Sequence, residues 1–464
     1  MKRRILECNV IGVLLLVIVS TTGFAQEAGD TSSTANVQKR ILTLDECMKI
    51  AMDNNIQLKR SINNAKIASA NYFQSMMEYL PSVDARANYD LYNGTFFDNT
   101  AARQVSEITN SSNPSLNASL VLFNGFSNHY SRKATLNRRE ASTNAIDEQK
   151  QNVESNVLGS YLSVVLDKEN IKISEDRVEL LQAQLEREKK RNIVGVGNLE
   201  QVYNFQSQLA NENLRLVNLK NSLLSDMLTL LQVLQLEVAM NYDVAPYDMS
   251  EDELLLDKEK FVEVLESSLA YSPGLKRALA TSEAAKLDYK SSQANYMPTI
   301  TAFGRIGSSY SSNGARDPKT GEFVEGAGFS DQMSWNKFDY ANISMTIPVF
   351  NKWRTRNGAQ VSRLNMENAE LDLKQTELDV TNTIQQVYVN LISAQETYEA
   401  ADDNLVALNQ SYEYVKTRYD NGNTDFYTYL ESLNNKNRAE VELVNAKYSI
   451  VFRKKILDVY RGLL

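Results

Sequence analysis

The chain comes close to repeating itself. Phe123-Asn124-Gly125-Phe126 returns as Phe350-Asn351-Lys352-Trp353, and Leu216-Val217-Asn218-Leu219-Lys220 returns as Leu443-Val444-Asn445-Ala446-Lys447, both 227 positions on. Upstream the spacing is 217: Leu58-Lys59-Arg60 becomes Leu275-Lys276-Arg277, and Tyr79-Leu80-Pro81 becomes Tyr296-Met297-Pro298. A duplication of this size constrains the fold more than any other feature, because each half must adopt the other's structure. The change of spacing places a longer loop in the second half.

The N-terminus reads as a processing signal over residues 1–25. Lys2, Arg3 and Arg4 precede an apolar run over 10–19, and Gly23-Phe24-Ala25 offers a cleavage site before Gln26. The run is too short to span a bilayer. The formal charge of the whole chain, -9, speaks against nucleic acid as a partner. One histidine (His129) and two cysteines, of which Cys8 falls in the leader, leave no material for a His/Cys metal site or a histidine-based triad. We therefore expect no enzyme, no cofactor and no metal. No later stretch offers eighteen apolar residues, which leaves a membrane β-barrel open, since its strands carry a weak signal.

The seven prolines avoid residues 128–237 and 354–460 altogether, so long helices are expected there. From Val380 a 4-3 spacing runs through Ile384, Val387, Leu391, Ala394, Tyr398, Ala401, Leu405, Leu408, Tyr412, Val415 and Tyr419. The first half gives Val153, Val157, Ser160, Val164, Asp167, Ile171, Ser174, Val178, Leu181 and Leu185, a seam with polar interruptions. A sustained 3.5-residue period implies coiled-coil packing. Each long helix is followed by a break, at 191–198 and 418–424, with Gly195 and Gly422 at equivalent positions, and then by a second periodic segment. Each half thus holds a helical hairpin. Thr43-Leu44-Asp45-Glu46 reads as a capping box that opens the first helix.

Four segments alternate with period two instead: Val83 to Leu91, Leu116 to Leu122, Ile300 to Ile306 and Ile343 to Val349. This suits a half-buried soluble sheet and a lipid-facing transmembrane strand alike. Tyr89, Tyr92, Phe96 and Phe97 are candidates for an interfacial girdle. The Asn-, Ser- and Gly-rich stretches 93–114 and 311–339 read as exposed loops. Residues 26–237 form the first repeat, 238–260 an acidic connector in the equatorial region, and 261–464 the second repeat. Four strands cannot close a barrel alone, so strands in a membrane would have to be pooled between chains.

In this order of parts the chain resembles the TolC-type outer-membrane factors. The resemblance runs from Leu42 to Leu464. It is carried by Tyr79-Leu80-Pro81 and Tyr296-Met297-Pro298 before strands, by the two Phe-Asn motifs after them, and by the tips at 191–195 and 418–422. It implies a mainly α fold with β: a homotrimer whose twelve-stranded outer-membrane β-barrel continues into a long periplasmic α-helical barrel. It further implies an exit duct of a tripartite efflux pump or type I secretion system. Partners would be a periplasmic adaptor, an inner-membrane transporter of the RND or ABC type, and the lipid bilayer. Positions near the tips then become candidates for a periplasmic constriction (Glu200, Gln201, Thr428, Glu431, Asp420 and Asp425) and for adaptor docking (Arg191, Gly195, Arg418 and Gly422). The competing expectation is an exported coiled-coil structural or adhesin-like protein without a channel, which would not need strands in both halves.

Overall fold

The structure is a computed structural model that describes residues 40–237, 242–247, 249, 254 and 260–463. The expected signal peptide lies outside the described residues, as does most of the acidic connector.

The duplication is carried by four helices that recur at equal length. Helices α1 (Leu44–Asn54) and α2 (Ile56–Met77) have 11 and 22 residues, as do α5 (Phe261–Tyr271) and α6 (Pro273–Ala294). Helices α3 (Ser127–Ile193) and α4 (Leu199–Leu234) have 67 and 36, as do α8 (Arg354–Asp420) and α9 (Phe426–Arg461). At 1.5 Å per residue each long helix runs about 100 Å. The heptad positions are borne out. Every seam residue of α8 from Ile384 to Tyr419 is buried or half-buried, and so is every one of α3 from Val153 to Leu185. The capping box also forms, with the Thr43 side chain accepting from Glu46 N and the Glu46 carboxylate accepting from Thr43 N.

The repeated Phe-Asn motif turns strand into helix. Gly125 and Phe126 have φ of 66° and 67°, and Lys352 and Trp353 have 57° and 62°, so each junction holds two consecutive left-handed residues. The preceding asparagine secures the first helical turn in both copies. Asn124 Oδ1 accepts from Asn128 N and Asn351 Oδ1 from Thr355 N, both at 3.4 Å. Gly125 cannot be enlarged, since a Cβ would lie 2.5 Å from Ala294 O.

Between the helices the chain forms β2 (Ser82–Arg86), β5 (Ser115–Asn124), β7 (Thr299–Gly307) and β11 (Phe338–Thr346), one antiparallel sheet in the order β11-β7-β5-β2. Its registers align the alternation of all four strands. Val83 pairs with Ala118, Ala118 with Gly304, and Gly304 with Ala341, while Leu120, Ala302 and Ile343 form the next row. The same face adds Ala85, Leu116, Ile300, Ile306 and Met345, with one charge, Asp339, at its outer end. The other face carries Asp84, Arg86, Asn117, Arg305 and Asn342. One face is therefore apolar and the other mainly polar, interrupted by Val121, Phe303, Phe338 and Tyr340. The outer edges of β2 and β11 pair with no described strand. A bulge between Val121 and Phe123 takes Leu122 off the expected alternation.

The two expected loops are folded. The first is a hairpin of β3 (Tyr89–Asp98) and β4 (Arg103–Ser112), paired along all ten residues. The second holds β8 (Tyr310–Ser311), β9 (Ala315–Arg316), β10 (Phe323–Val324) and α7 (Phe329–Trp335). They clasp each other through a buried polar cluster. Asp98 accepts from Ser311 Oγ and, at 2.9 Å, from Asn313 Nδ2, which also reaches Thr109 Oγ1 at 2.7 Å. Asn, Ser and Thr here satisfy one another out of water, so their composition alone resembled that of open loops.

At the middle of the molecule β1 (Arg40–Leu42) pairs in parallel with β6 (Tyr242–Val244). This belt packs Leu42, Cys47, Ala51 and Val244 onto Val153, Val157, Tyr161 and Leu234. Burial pushes the Cys47 thiol up to about 12, so it stays a neutral core residue.

Candidate functional site at the hairpin tips

The α3–α4 and α8–α9 hairpins end side by side, and their turns are built alike. Val196 N bonds Arg191 O at 3.1 Å and Gly195 N bonds Asn192 O at 3.1 Å; Asn423 N bonds Arg418 O at 2.8 Å and Gly422 N bonds Tyr419 O at 3.0 Å. Both are Schellman turns with glycine at φ of +77° and +74°. The next helix is capped by the same position in each: Asn198 accepts from Glu200 N at 2.9 Å, and Asp425 from Thr428 N at 3.0 Å. Thr428 Oγ1 adds a second bond to Asp425, at 2.6 Å. That hydroxyl is the main reason the Asp425 carboxyl is held below its usual range.

Beneath the turns the hairpins share one core: Leu181, Leu185, Phe205, Phe426, Tyr429 and Leu433 with Tyr412 and Tyr419. Tyr419 stacks on Tyr429 at 4.7 Å and 11°, and Phe205 meets Phe426 edge-on at 4.9 Å. Burial raises the Tyr429 and Tyr419 phenols, so both stay neutral. Polar ties cross between the hairpins, among them Gln184 Nε2 to the Tyr429 hydroxyl at 3.4 Å. Arg187 Nη2 donates to Asp420 Oδ1 at 2.8 Å. The Tyr427 hydroxyl donates to Glu200. Glu188, only 1% exposed, accepts from Arg191 at 3.1 Å and from the Tyr419 hydroxyl at 3.5 Å. A carboxylate this buried needs its partners, because leaving it unpaired costs several kcal/mol, about 3–5 in comparable cases.

The ten expected residues therefore divide. Asp420 and Glu200 tie hairpin to hairpin, Asp425 and Thr428 cap α9, and Arg191 neutralises Glu188 while its carbonyl closes the turn. Arg418 donates to Asn423 O at 2.9 Å, and the two glycines set the turns. Gln201 is half-buried beside its cap, and Glu431 stands exposed on α9. Sequence reasoning missed Arg187, Glu188 and Tyr427. Glu188 had a signal: it falls three residues after Leu185, at the next seam position, where a carboxylate is out of place. The tips also differ in surface. The first exposes Ile193, Val194 and Val196, while the second presents Asn421, Gly422 and Asn423.

Among the described residues no group of three or more His, Cys, Asp or Glu could hold a metal, and no helix is long and apolar enough to cross a membrane. An open-edged sheet with one apolar face, continuous with paired hairpins of this length, defines one protomer's share of a barrel channel. The chain belongs to the outer membrane efflux protein family, whose model matches residues 48–234 and 264–457. No curated protein sequence matches it. Among solved structures it is similar to the outer membrane protein VceC of Vibrio cholerae (14% identity, TM-score 0.77, covering 90% of this chain and 96% of that one). It is also similar to the CmeC outer membrane channel of Campylobacter jejuni (18%, 0.72, 90% and 85%). A third is the MtrE outer membrane channel of Neisseria gonorrhoeae, captured in an open state (17%, 0.68, 93% and 93%). The fold class is the family's: a trimeric twelve-stranded β-barrel continuous with an α-helical barrel, to which one chain gives four strands and two hairpins. The family is one of channels, not enzymes.

Proposed function

We propose that this chain is the exit duct of a tripartite efflux pump or type I secretion system. Three copies pool their strands in the outer membrane, and the α-barrel reaches through the periplasm to an adaptor and an RND- or ABC-type transporter. The observation that carries this reading is the sheet. Its apolar face and two unpaired edges are untenable for a lone chain in lipid, and pooling the strands of three chains resolves both. The tips are the proposed gate. Arg187–Asp420, Glu188–Tyr419 and Glu200–Tyr427 hold one hairpin to the other, so moving them apart requires these ties to break. Arg191, Gly195, Arg418 and Gly422 form the proposed adaptor-docking turns. Three copies each of Glu200 and Glu431 would form acidic rings that favour cations.

The purified protein in planar bilayers tests this. A trimer with discrete, cation-preferring conductance is expected, and the double variant Glu200→Ala/Glu431→Ala should lose several-fold in cation preference. A monomer without conductance overturns the duct, and a double variant with unchanged selectivity removes the ring.

A further inference from the structure

Within one chain the first repeat already seats against the second. Helix α3 is covered on two flanks, by α2 and α4 of its own repeat and by α6 and α9 of the other. Its equivalent, α8, is covered on one flank only, by α6 and α9. Conversely, α2 and α4 each share a comparable face with only one long helix, α3. One flank of α8 and the outer faces of α2 and α4 are thus left over.

The leftover faces are apolar. Ile67 on α2 is 59% exposed, whereas its equivalent on α6, Ala284, is 2% exposed. Leu224 on α4 is 59% exposed, whereas Val451 on α9 is 1% exposed. Leu214, Val217 and Leu228 extend the Leu224 stripe at heptad steps, and all are exposed. Helix α8 answers with Val361, Leu364, Leu371 and Leu378, also exposed and also at heptad steps. On α3 the same stripe reads Ala134, Asn137, Asn144 and Gln151. It lies on the covered flank, where Ala134 is buried and Gln151 Nε2 donates to Val459 O of α9 at 3.1 Å.

Resting on the barrel reading above, we infer that α2 and α4 of one copy seat on α8 of the next, in the register that α6 and α9 keep on α3. The occupant is a second copy because α8 repeats the backbone of α3, and α2 that of α6, length for length. Such a head-to-tail contact closes into a ring. Adding 227 to residues of α3 and subtracting 217 from those of α6 carries each contact across. Ser127 and Ser291, whose hydroxyls meet at 2.9 Å, become Arg354 opposite Gln74. The Arg138–Asp288 pair becomes Asn365 opposite Asn71, and the Glu148–Arg277 pair becomes Gln375 opposite Arg60. All six of these mapped residues are exposed in the single chain. Both ion pairs of the seam within a chain are therefore lost from the seam between copies. In exchange, Asn137 and Asn144 give way to Leu364 and Leu371. The joint within a chain holds by charge pairs, and the joint between copies holds by apolar area.

The pair Gln74→Cys/Arg354→Cys in the full chain tests this, with the protein oxidised in phosphatidylethanolamine–phosphatidylglycerol vesicles. Cys47 is fully buried and takes no part. A disulfide between chains is expected, seen as a covalent trimer on a denaturing gel and lost on reduction. Gln74→Cys/Val361→Cys, displaced by one heptad or roughly 10 Å, should link several-fold less. Equal yields from the two pairs overturn the register, and a bond within one chain overturns the seating. Conductance of the reduced samples separates the two readings. Conducting trimers that do not link remove the seating and leave the duct, whereas a monomer without conductance removes the duct as well. A second variant, Leu364→Ser/Leu371→Ser, alters side chains that are exposed in the single chain, so its helix content by circular dichroism should match the parent's. Its trimer fraction in detergent should fall about tenfold or more; a trimer fraction equal to the parent's overturns the apolar joint.

Discussion

The two hairpins have the same lengths and the same turns, yet only the first has polar residues interrupting its seam. Ser160, Asp167 and Ser174 recur at heptad spacing in α3, and their equivalents in α8 are Val387, Ala394 and Ala401. The polar seam is occupied. Ser174 Oγ donates to Glu212 Oε1 at 2.7 Å, with Arg177 at 3.9 Å from the same oxygen. Asp167 faces Asp226, and burial, then that neighbour, pushes its carboxyl up to about 6. In the second half Ile384 and Leu391 pack with Val264 and Leu457. Equal backbones with unequal seams teach that the repeat fixes geometry while each hairpin tunes its own cohesion. Polar seams hold by directional pairs that a change of protonation can alter, and apolar ones hold by area.

Exchanging the seam chemistry breaks the comparison most directly. Leu391, 2% exposed, packs among Val264, Ile384 and Leu457, so Leu391→Asp buries an uncompensated carboxylate. A loss of about 3–5 kcal/mol is expected, enough to abolish the trimer on heating; a melting temperature near the parent's would show that the second seam is wetter than its packing indicates. The reciprocal change is milder and carries a sign. The folded chain holds the Asp167 proton up to about pH 6, while the usual carboxyl value is 3.8, so stability is full below 3.8 and falls as pH rises to 6. Asp167→Asn should therefore add about 1–2 kcal/mol at pH 8, after allowance for solvent screening. That gain should shrink below pH 6 and vanish near pH 4. Thermal melts across that range check it, and a gain independent of pH would assign the effect to packing.

The periodic parts of this chain could be read directly from its sequence. Each heptad residue reports its own burial, and each alternating strand its own face, so the seams and the sheet were legible without any knowledge of partners. The clasp was not, because Asp98 meets Ser311 and Asn313 across more than two hundred residues and nothing local marks the encounter. The polar composition of 93–114 pointed to loops because both faces of that hairpin lack the usual apolar row. At the tips the glycines and Tyr419 were legible from spacing, whereas the Asn198 and Asp425 caps were not read from it. The ties from Arg187, Glu188 and Tyr427 were not, since they depend on which two turns lie side by side.

The turns offer the finest test, because there the halves should agree. Gly195 and Gly422 both sit at positive φ, and a Cβ on either meets nothing within 4 Å. Alanine then costs only the backbone term, about 1 kcal/mol at each site. The surrounding surfaces differ, apolar around Gly195 and polar around Gly422, and neither enters that term. Gly195→Ala and Gly422→Ala should lower the melting temperature of the isolated trimer by the same few degrees. A difference between them of more than that would mean that one tip is held by contacts its partner lacks. The second tip is the one to suspect, since Arg418 there also bonds Asn423 O across the turn.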